Sequence, residues 1–453
     1  MSLPLTTPIR DNQRIRVIDS IRGVALLGIL LMNIPFFAAP FQFGQNISLR
    51  SEFSGPNYYT WWIVEGAFEG TMRALFSMLF GAGCILLLER LARNPQVDPA
   101  KIYYRRLLWL LLFGMFNAYI LLWPGDILYA YAICGLFLYP FKDMKAKHLF
   151  MFALLFLLVM TVKSTYQMWK MDRLRAKGEY ALALEKAKQK LTPEQEASKG
   201  AWMGFQEKTK KENVLKEAEG FTKQMQGNYF TILSFASGWS AKLQSSKLYH
   251  SFFLDNMIMI FLGMALFRWG VLTGKRSRRF YWLLMAGGYA LGLPLSYYEH
   301  RTLININFDP TLMLDRFLVN FYEIRRILLA LGHLGVLMLL YRYGLFRLLF
   351  NWLARVGQMA FSNYLMQTII CGIVFYGIGF GLYGRLQRYE MYYVVLCVWI
   401  FQIIFSNIWL HYFRFGPFEW AWRSLTYWRR QPWKRSTVVA EASDAEPVAP
   451  AIA

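Results

Sequence analysis

The sequence predicts an all-α protein, a polytopic transmembrane helix bundle of about ten spans with a helical extramembrane insertion between spans five and six. Hydrophobic residues make up 56% of the 453 residues and charged residues 17%, whereas soluble domains average ~45–50% and ~25%. The hydrophobic residues are concentrated in runs that approach the ~20 residues needed to cross a bilayer. Positive charge is also distributed unequally between the segments that connect these runs.

Ten apolar segments reach or approach the length of a membrane span. The fourth is short and shares the turn from Trp123 to Asp126 with the third, so these two are predicted to form a helical hairpin. The segments lie near 23–42, 58–88, 107–123, 127–141, 149–166, 252–268, 280–298, 327–342, 358–383 and 391–413.

The positions of Lys and Arg orient these spans. If the N-terminus is cytoplasmic, the cytoplasmic segments carry 26 of the 50 Lys and Arg residues, and the short outer loops carry seven, among them Arg325, Arg326 and Arg388. Because cytoplasmic loops are enriched in Lys and Arg, both termini are predicted to be cytoplasmic. The net charge of +22 is then explained by membrane orientation, without nucleic-acid binding.

The chain divides into four predicted regions. Residues 1–166 and 250–435 form two membrane bundles of five spans each, residues 167–249 form a polar helical insertion on the outer face, and residues 436–453 form a disordered tail. Between 167 and 227 there are 13 Lys and Arg and nine Asp and Glu residues. Thr192, Pro193 and Gln195 have the pattern of an N-cap, a first-turn proline and a capping box.

The four cysteines all lie inside apolar runs, and none belongs to a CxxC pair. They are interpreted as small buried hydrophobic residues, and no metal site is predicted.

A first group of polar residues lies at the start of the first span. Arg16, Asp19 and Arg22 are three residues apart, so a helix places them on one side. They suit either an ion-pair cap or a site for an anionic cytoplasmic ligand. Asn33 lies deeper in the same helix, where it can bind substrate or form a hydrogen bond to another helix.

Ionisable groups inside spans are costly and therefore mark functional sites or contacts between helices. Glu65, Glu69 and Arg73 are four residues apart along one helix face. A Glu69–Arg73 pair is the simpler interpretation, and it leaves Glu65 as an acid, base or proton site.

Two groups are candidates for general acid–base chemistry. Asp126 follows Asn117 at the predicted outer tip of the hairpin, where an N-cap is a sufficient explanation. His333 lies inside a span and is the best general-base candidate, although a hydrogen bond to a neighbouring helix is an alternative. Gln358, Asn363 and Gln367 form a polar stripe that must face the bundle interior, which suits substrate binding or packing.

Six segments together carry a family resemblance: Asp19–Asn33, Leu75–Gly83, Tyr104–Arg106, Gly125–Leu128, Leu262–Gly270 and Phe413–Leu425. They resemble one family, the bacterial YeiB-like inner-membrane proteins that carry domain of unknown function 418. The resemblance covers the spans from end to end and does not include the insertion at 167–227.

The resemblance implies a bacterial inner-membrane location, so the outer face on which the insertion is predicted to lie is the periplasmic one. It also implies a relation to multispanning acyltransferases that pass acetyl or succinyl groups from cytoplasmic donors to sugars. Asn33 stands where many of these acyltransferases have His, and Asn117 stands where YeiB-like members often have His. The first functional hypothesis is therefore acyl transfer from a cytoplasmic acyl-CoA, whose phosphate the Asp19–Arg22 region receives. The alternative is a non-catalytic transporter that carries a small polar or amphipathic metabolite along the interior amides. The expected partners are the bilayer, anionic lipids at the cytoplasmic face and a second copy of the chain.

Overall fold

The computed structural model describes residues 14–93, 95–316 and 320–435, so the predicted tail at 436–453 lies outside them. Within these ranges the chain is all-helical and contains no β-strand, as predicted. The helices are α1 (Arg16–Ala38), α2 (Phe41–Gln45), α3 (Gly55–Ile63), α4 (Thr71–Ala92), α5 (Pro99–Met115), α6 (Leu128–Leu136), α7 (Ala146–Lys186), α8 (Pro193–Thr209), α9 (Lys211–Met225), α10 (Tyr229–Lys242), α11 (Phe253–Arg268), α12 (Arg278–Asn305), α13 (Pro310–Arg316), α14 (Tyr322–Tyr343), α15 (Arg347–Gln358), α16 (Ala360–Phe375), α17 (Arg388–Tyr412) and α18 (Pro417–Tyr427).

Six helical stretches of the described chain are long and apolar enough to cross a membrane. They are Arg16–Ala38, Gly55–Ala92, Ala146–Lys186, Tyr229–Arg268, Tyr322–Tyr343 and Arg388–Tyr412. Helix α16 is apolar but has only 16 residues, and α6 has nine. The chain is thus a multi-pass helical membrane protein, and the count of ten spans stays a prediction.

The predicted span at 58–88 is interrupted in its middle. Helix α3 continues into a π-helical turn, Val64–Phe68, and α4 begins only at Thr71. Gly70 lies between them with φ +71°, a left-handed conformation that favours glycine. A Cβ at Gly70 would lie 2.4 Å from Cδ of Arg326, so the break makes room for the Arg326 side chain.

Helix α7 extends far beyond the predicted fifth span. Its 41 residues correspond to a length of about 62 Å, roughly twice the thickness of the hydrocarbon core. Leu154, Leu155, Leu158 and Val162 are exposed in the apolar half, which therefore faces lipid. The polar half continues without interruption past the predicted boundary at 166/167.

The insertion is helical, as its sequence predicts. Thr192 and Gln195 form the expected capping box at the start of α8. A continuous helix over 229–268 passes through the predicted boundary at 249/250. A ten-residue π-helical segment, Leu243–Phe252, joins α10 to α11. The end of α9 docks on the membrane bundle, where the Gly377 amide donates to the Met225 carbonyl at 2.9 Å.

Glycines allow several helices to pack backbone against backbone. At the crossing of α12 and α14, a Cβ at Gly288 would lie 2.6 Å from the Gly332 nitrogen and 2.6 Å from the Leu328 carbonyl oxygen. The adjacent Gly287 has no heavy atom within 4 Å of such a Cβ. Gly288 and Gly287 therefore provide a crowded position and an open control position on the same helix.

We expect Gly288→Ala to destabilise the protein by about 1–3 kcal/mol, because the added methyl group meets backbone that cannot rotate away. The thermal unfolding temperature in detergent micelles measures this effect. Gly287→Ala should leave that temperature unchanged or raise it slightly, since alanine has the higher helix propensity. Equal unfolding temperatures for the two variants would contradict the close crossing of α12 and α14.

Candidate functional site: a basic cavity at one end of the bundle

A cavity of about 710 Å³ lies at one end of the helix bundle, between α1, α4, α5, α16 and α18. We call it the basic cavity, and the end that contains it the basic end. Its six arginines are Arg14, Arg22, Arg90, Arg93, Arg106 and Arg423, and its three acidic residues are Asp19, Glu89 and Glu419. Arg14 and Tyr427 both line it, so the two ends of the described chain lie at the same end of the bundle.

The sequence-predicted pair at the start of α1 is present in the wall of this cavity. Nη1 of Arg22 lies 2.7 Å from Oδ1 of Asp19, and Nη1 of Arg14 lies 3.6 Å from Oδ2. Arg16 is exposed and does not line the cavity. Helix α1 begins at Arg16, and the chain before it approaches Asp19 through Arg14.

The opposite wall is formed by α18, which is fastened to α5 and α16. Arg106 stacks on the ring of Trp422 at 3.6 Å, and the Trp422 indole donates to the Arg106 carbonyl at 2.9 Å. Glu419 accepts hydrogen bonds from the backbone amides of Phe361 and Ser362 at 2.7 and 3.0 Å. Its carboxyl group therefore caps the start of α16 and is already used within the fold.

Positive charge is crowded in this part of the cavity. Burial lowers the pKa of the Arg423 guanidinium, and the nearby charges of Arg106 and Arg14 lower it further. Burial raises the pKa of Glu419, and the hydrogen bonds from Ser362 lower it by a smaller amount. The Asp19 carboxylate already contacts two arginines. A bound anion would relieve this repulsion, because opposite charges favour the charged form of a buried group.

The inner end of the basic cavity is aromatic and adjoins the predicted catalytic carboxylate. Tyr131 and Tyr364 line it, and the Tyr364 hydroxyl accepts a hydrogen bond from the amide of Ile127 at 3.1 Å. Asp126 precedes Ile127 and accepts from Nδ2 of Asn117 and from the Tyr129 amide, both at 2.8 Å. The Asp126 carboxylate therefore contacts the first turn of α6, although the residue at the N-cap position of this helix is Ile127.

The position of Asp126 differs from the predicted outer tip. Tyr364 is the fifth residue of α16, which starts beside the basic cavity, so Asp126 lies within the bundle and close to the cavity. Trp123 lies farther from the basic end than Asp126, because its ring stacks on Phe37 near the end of α1, with ring centroids 3.6 Å apart. The turn from Leu121 to Ile127 is non-helical, and its buried residues are Leu122 and Trp123.

Glu65, Glu69 and Arg73 belong to a separate group of buried charges. Arg73 pairs with Asp255, and Arg326 pairs with Asp255 and Glu323. Arg325 contacts Glu69 at 3.2 Å and Glu299 at 2.6 Å. We call these eight residues the buried charge cluster: Glu65, Glu69, Arg73, Asp255, Glu299, Glu323, Arg325 and Arg326.

This cluster corrects two sequence-based expectations. The simple Glu69–Arg73 pair is replaced by contacts with other helices, because the break at Gly70 separates the two residues. Arg325 and Arg326, which the sequence places in an outer loop, lie in α14 with exposed fractions of 3% and 0%. Asp255 and the two arginines are ionisable residues at apolar helix ends, and that signal could have identified the cluster.

His333 lies away from the basic cavity, and both of its ring nitrogens have partners. Nδ1 is 2.7 Å from the Tyr289 hydroxyl, and Nε2 is 2.8 Å from the Ala67 carbonyl oxygen. An imidazole held in this way joins α12 and α14 to the π-helical turn at 64–68. The geometry supports the packing alternative better than a role as general base.

The three residues of the predicted polar stripe, Gln358, Asn363 and Gln367, lie in two different surroundings. Gln358 lines the basic cavity. Asn363 donates to the Ser406 hydroxyl at 2.9 Å, and Gln367 donates to Oε1 of Gln402 at 3.1 Å. These bonds join α16 to α17. Asn33 is half-buried and is not among the residues that line the cavity.

The sequence reasoning missed most of the arginines that form the cavity. Arg90, Arg93, Arg106 and Arg423 contribute to the predicted cytoplasmic charge bias, but no spacing rule connects them. Arg423 joins the other three only when α18 folds onto α5. One local feature of the sequence could have indicated this site. Trp422 and Arg423 are adjacent aromatic and basic residues on a short amphipathic helix.

The comparisons with known proteins agree on one family. The family described as "Protein of unknown function (DUF418)" matches residues 266–429. The chain is 30% identical over 440 residues to the uncharacterized protein YxaH of Bacillus subtilis (strain 168), covering 95% of this chain and 99% of that protein. It is 31% identical over 420 residues to the uncharacterized protein YeiB of Escherichia coli (strain K12), covering 90% and 95%. No solved structure matches the chain.

Proposed function

The chain belongs to the YeiB-like DUF418 family of multi-pass helical proteins, and from this premise we propose that it binds a cytoplasmic acyl-CoA in the basic cavity as the donor for acyl transfer. The observation that carries this proposal is the cavity itself, whose lining combines six arginines with the aromatic residues Tyr131, Phe361 and Tyr364. Phosphates suit the arginines, and the apolar inner end suits the acyl part. Both parts of an acyl-CoA therefore have a matching surface.

The orientation of the protein follows from the charge bias. We assign the basic end to the cytoplasm of a bacterial inner membrane, because Lys and Arg are retained on that side. The insertion docks at the opposite end and is then periplasmic. Trp428 is 76% exposed beside Arg429 and Arg430, a composition that suits contact with anionic lipid headgroups.

In this proposal Asp126 is the general base. Asn117 and the Tyr129 amide hold its two oxygens, and Tyr364 connects it to the inner end of the cavity. An acceptor hydroxyl or amine would lose its proton to Asp126 as it attacks the thioester carbonyl carbon. The carbon–sulfur bond then breaks, and the CoA thiolate leaves and takes up a proton. The transporter alternative receives less support, because Asn363 and Gln367 are engaged between helices.

Binding of acetyl-CoA to purified protein tests the proposal. We expect Arg423→Gln to weaken binding about ten- to hundredfold, since one hydrogen bond to a charged group is worth about 1.5–3 kcal/mol. Isothermal titration calorimetry measures the affinity, with dephospho-CoA as a matched ligand that lacks one phosphate and should bind more weakly. Rising salt should weaken binding further.

Arg279→Gln is the control for this experiment. Arg279 is exposed on α12 and does not line the cavity, so its removal should leave the affinity unchanged. The proposal fails if the wild-type protein does not bind acetyl-CoA. It also fails if Arg423→Gln and Arg279→Gln bind with the same affinity.

A further inference from the structure

The buried charge cluster contains one carboxyl group that the fold leaves unpaired. Glu65 lies in the π-helical turn Val64–Phe68, and its exposed fraction is 6%. Among the described residues no hydrogen bond or ion pair engages its carboxyl group; the neighbouring Arg325 reaches only the Glu65 backbone carbonyl, at 3.5 Å. π-Helical turns inside helices occur frequently at functional sites.

The positive groups around Glu65 are already occupied. Arg325 pairs with Glu69 and Glu299, and the Tyr322 hydroxyl also donates to Glu69, at 2.9 Å. From α17, Arg388 pairs with Glu52 at 2.8 Å and donates to two backbone carbonyls at 2.7 Å.

The remaining titratable groups near Glu65 do not balance its charge either. On α12, Nδ1 of His300 lies 2.7 Å from the carbonyl oxygen of Ser296. On α17, the Tyr392 hydroxyl donates to the carbonyl of Leu31 at 3.1 Å. In the rest of the cluster, Arg73 and Arg326 pair with Asp255, and Arg326 also pairs with Glu323.

The cluster therefore carries five carboxyl groups against three guanidinium groups. An unpaired carboxylate in a low-dielectric interior is strongly destabilising, and such a group becomes neutral instead. We propose that Glu65 is a proton-binding site, whose carboxylate takes up one proton from water and is held as a neutral carboxylic acid in the folded protein at neutral pH. This proposal does not depend on acyl-CoA binding.

Hydrogen bonds connect the cluster to the basic cavity. Tyr131 lines the cavity, and its hydroxyl lies 2.6 Å from the Ser77 hydroxyl. Ser77 donates to the Arg73 carbonyl at 2.9 Å, and the Arg73 side chain pairs with Asp255. These bonds join the Arg73 and Asp255 part of the cluster to the cavity wall, and the Glu65 carboxyl group is not among them.

Infrared spectroscopy of the purified protein without acyl-CoA tests this inference. At neutral pH the wild type should show the carbonyl stretching band of a protonated carboxylic acid, and alkaline pH should remove that band. Glu65→Gln should weaken this band by the contribution of one carboxyl group, whereas Glu194→Gln, a change at an exposed position, should leave it unchanged. Glutamine resembles a protonated glutamate in size and neutrality, so Glu65→Gln is expected to fold.

Labelling of the wild type gives a second measurement that needs no variant. An apolar carbodiimide modifies protonated carboxyl groups in apolar surroundings, and peptide mass spectrometry should find the label on Glu65, with less label as the pH rises. The inference is overturned if the neutral-pH band is missing or is as strong in Glu65→Gln as in the wild type. It is also overturned if the carbodiimide leaves Glu65 unmodified.

Discussion

Replacing Asp126 by Asn is expected to lower the rate of acyl transfer by about two to four orders of magnitude, which is the range that a positioned general base contributes. Asparagine keeps the size of the side chain but cannot accept a proton at neutral pH. The assay measures the release of free CoA thiol from acetyl-CoA by the purified protein. Because Asp126 lies behind Tyr364 and not among the arginines, the affinity for acetyl-CoA should change little.

Asp143→Asn provides the control for the Asp126 variant. The Asp143 side chain is 83% exposed, and its removal should leave the rate of thiol release unchanged. A base at Asp126 is refuted if Asp126→Asn retains the wild-type rate. If Asp126→Asn instead loses affinity and unfolding temperature together, the residue acts by capping α6 and the catalytic assignment is wrong.

The largest expected loss of stability comes from Arg326→Met. Arg326 is fully buried and pairs with Asp255 and Glu323, and removing one partner of a buried pair costs about 3–5 kcal/mol. Arg301→Met, an exposed change on α12, should cost almost nothing. Unfolding by chemical denaturant in detergent micelles measures both free energies.

A double variant separates the lost charge from the lost packing. In Arg326→Met with Glu323→Gln, the uncompensated carboxylate of Glu323 is removed, while Arg73 still balances Asp255. We expect this double variant to be more stable than Arg326→Met alone. Additive losses from the two changes would show that Arg326 and Glu323 do not interact.

Local features of the fold could be predicted from the sequence. The apolar runs identify the membrane helices, because burial in lipid requires ~20 apolar residues whatever the tertiary arrangement. The capping box at Thr192 and the Asp19–Arg22 pair depend on residues three apart, and the structure contains both. Such contacts depend only on helix geometry.

Contacts between distant parts of the chain could not be predicted in this way. Arg106 and Trp422 are 316 residues apart, and nothing in either segment specifies the other. Glu69 and Arg73 are separated by the break at Gly70, a position where one glycine among 33 changes the direction of the helix. The candidate base moved from His333 to Asp126 for the same reason, since the partners of each depend on tertiary packing.

The crossing of α1 and α15 limits how the basic cavity can open. A Cβ at Gly357 would lie 1.9 Å from the carbonyl oxygen of Asp19, and a Cβ at Gly23 would lie 2.1 Å from that of Leu353. Gly357 and Asp19 both line the cavity, so this wall is a rigid seam of touching backbones. Helix α18 is held mainly by side chains, among them Glu419 and Trp422. We therefore expect the α1–α15 wall to keep its position when a ligand binds in the cavity.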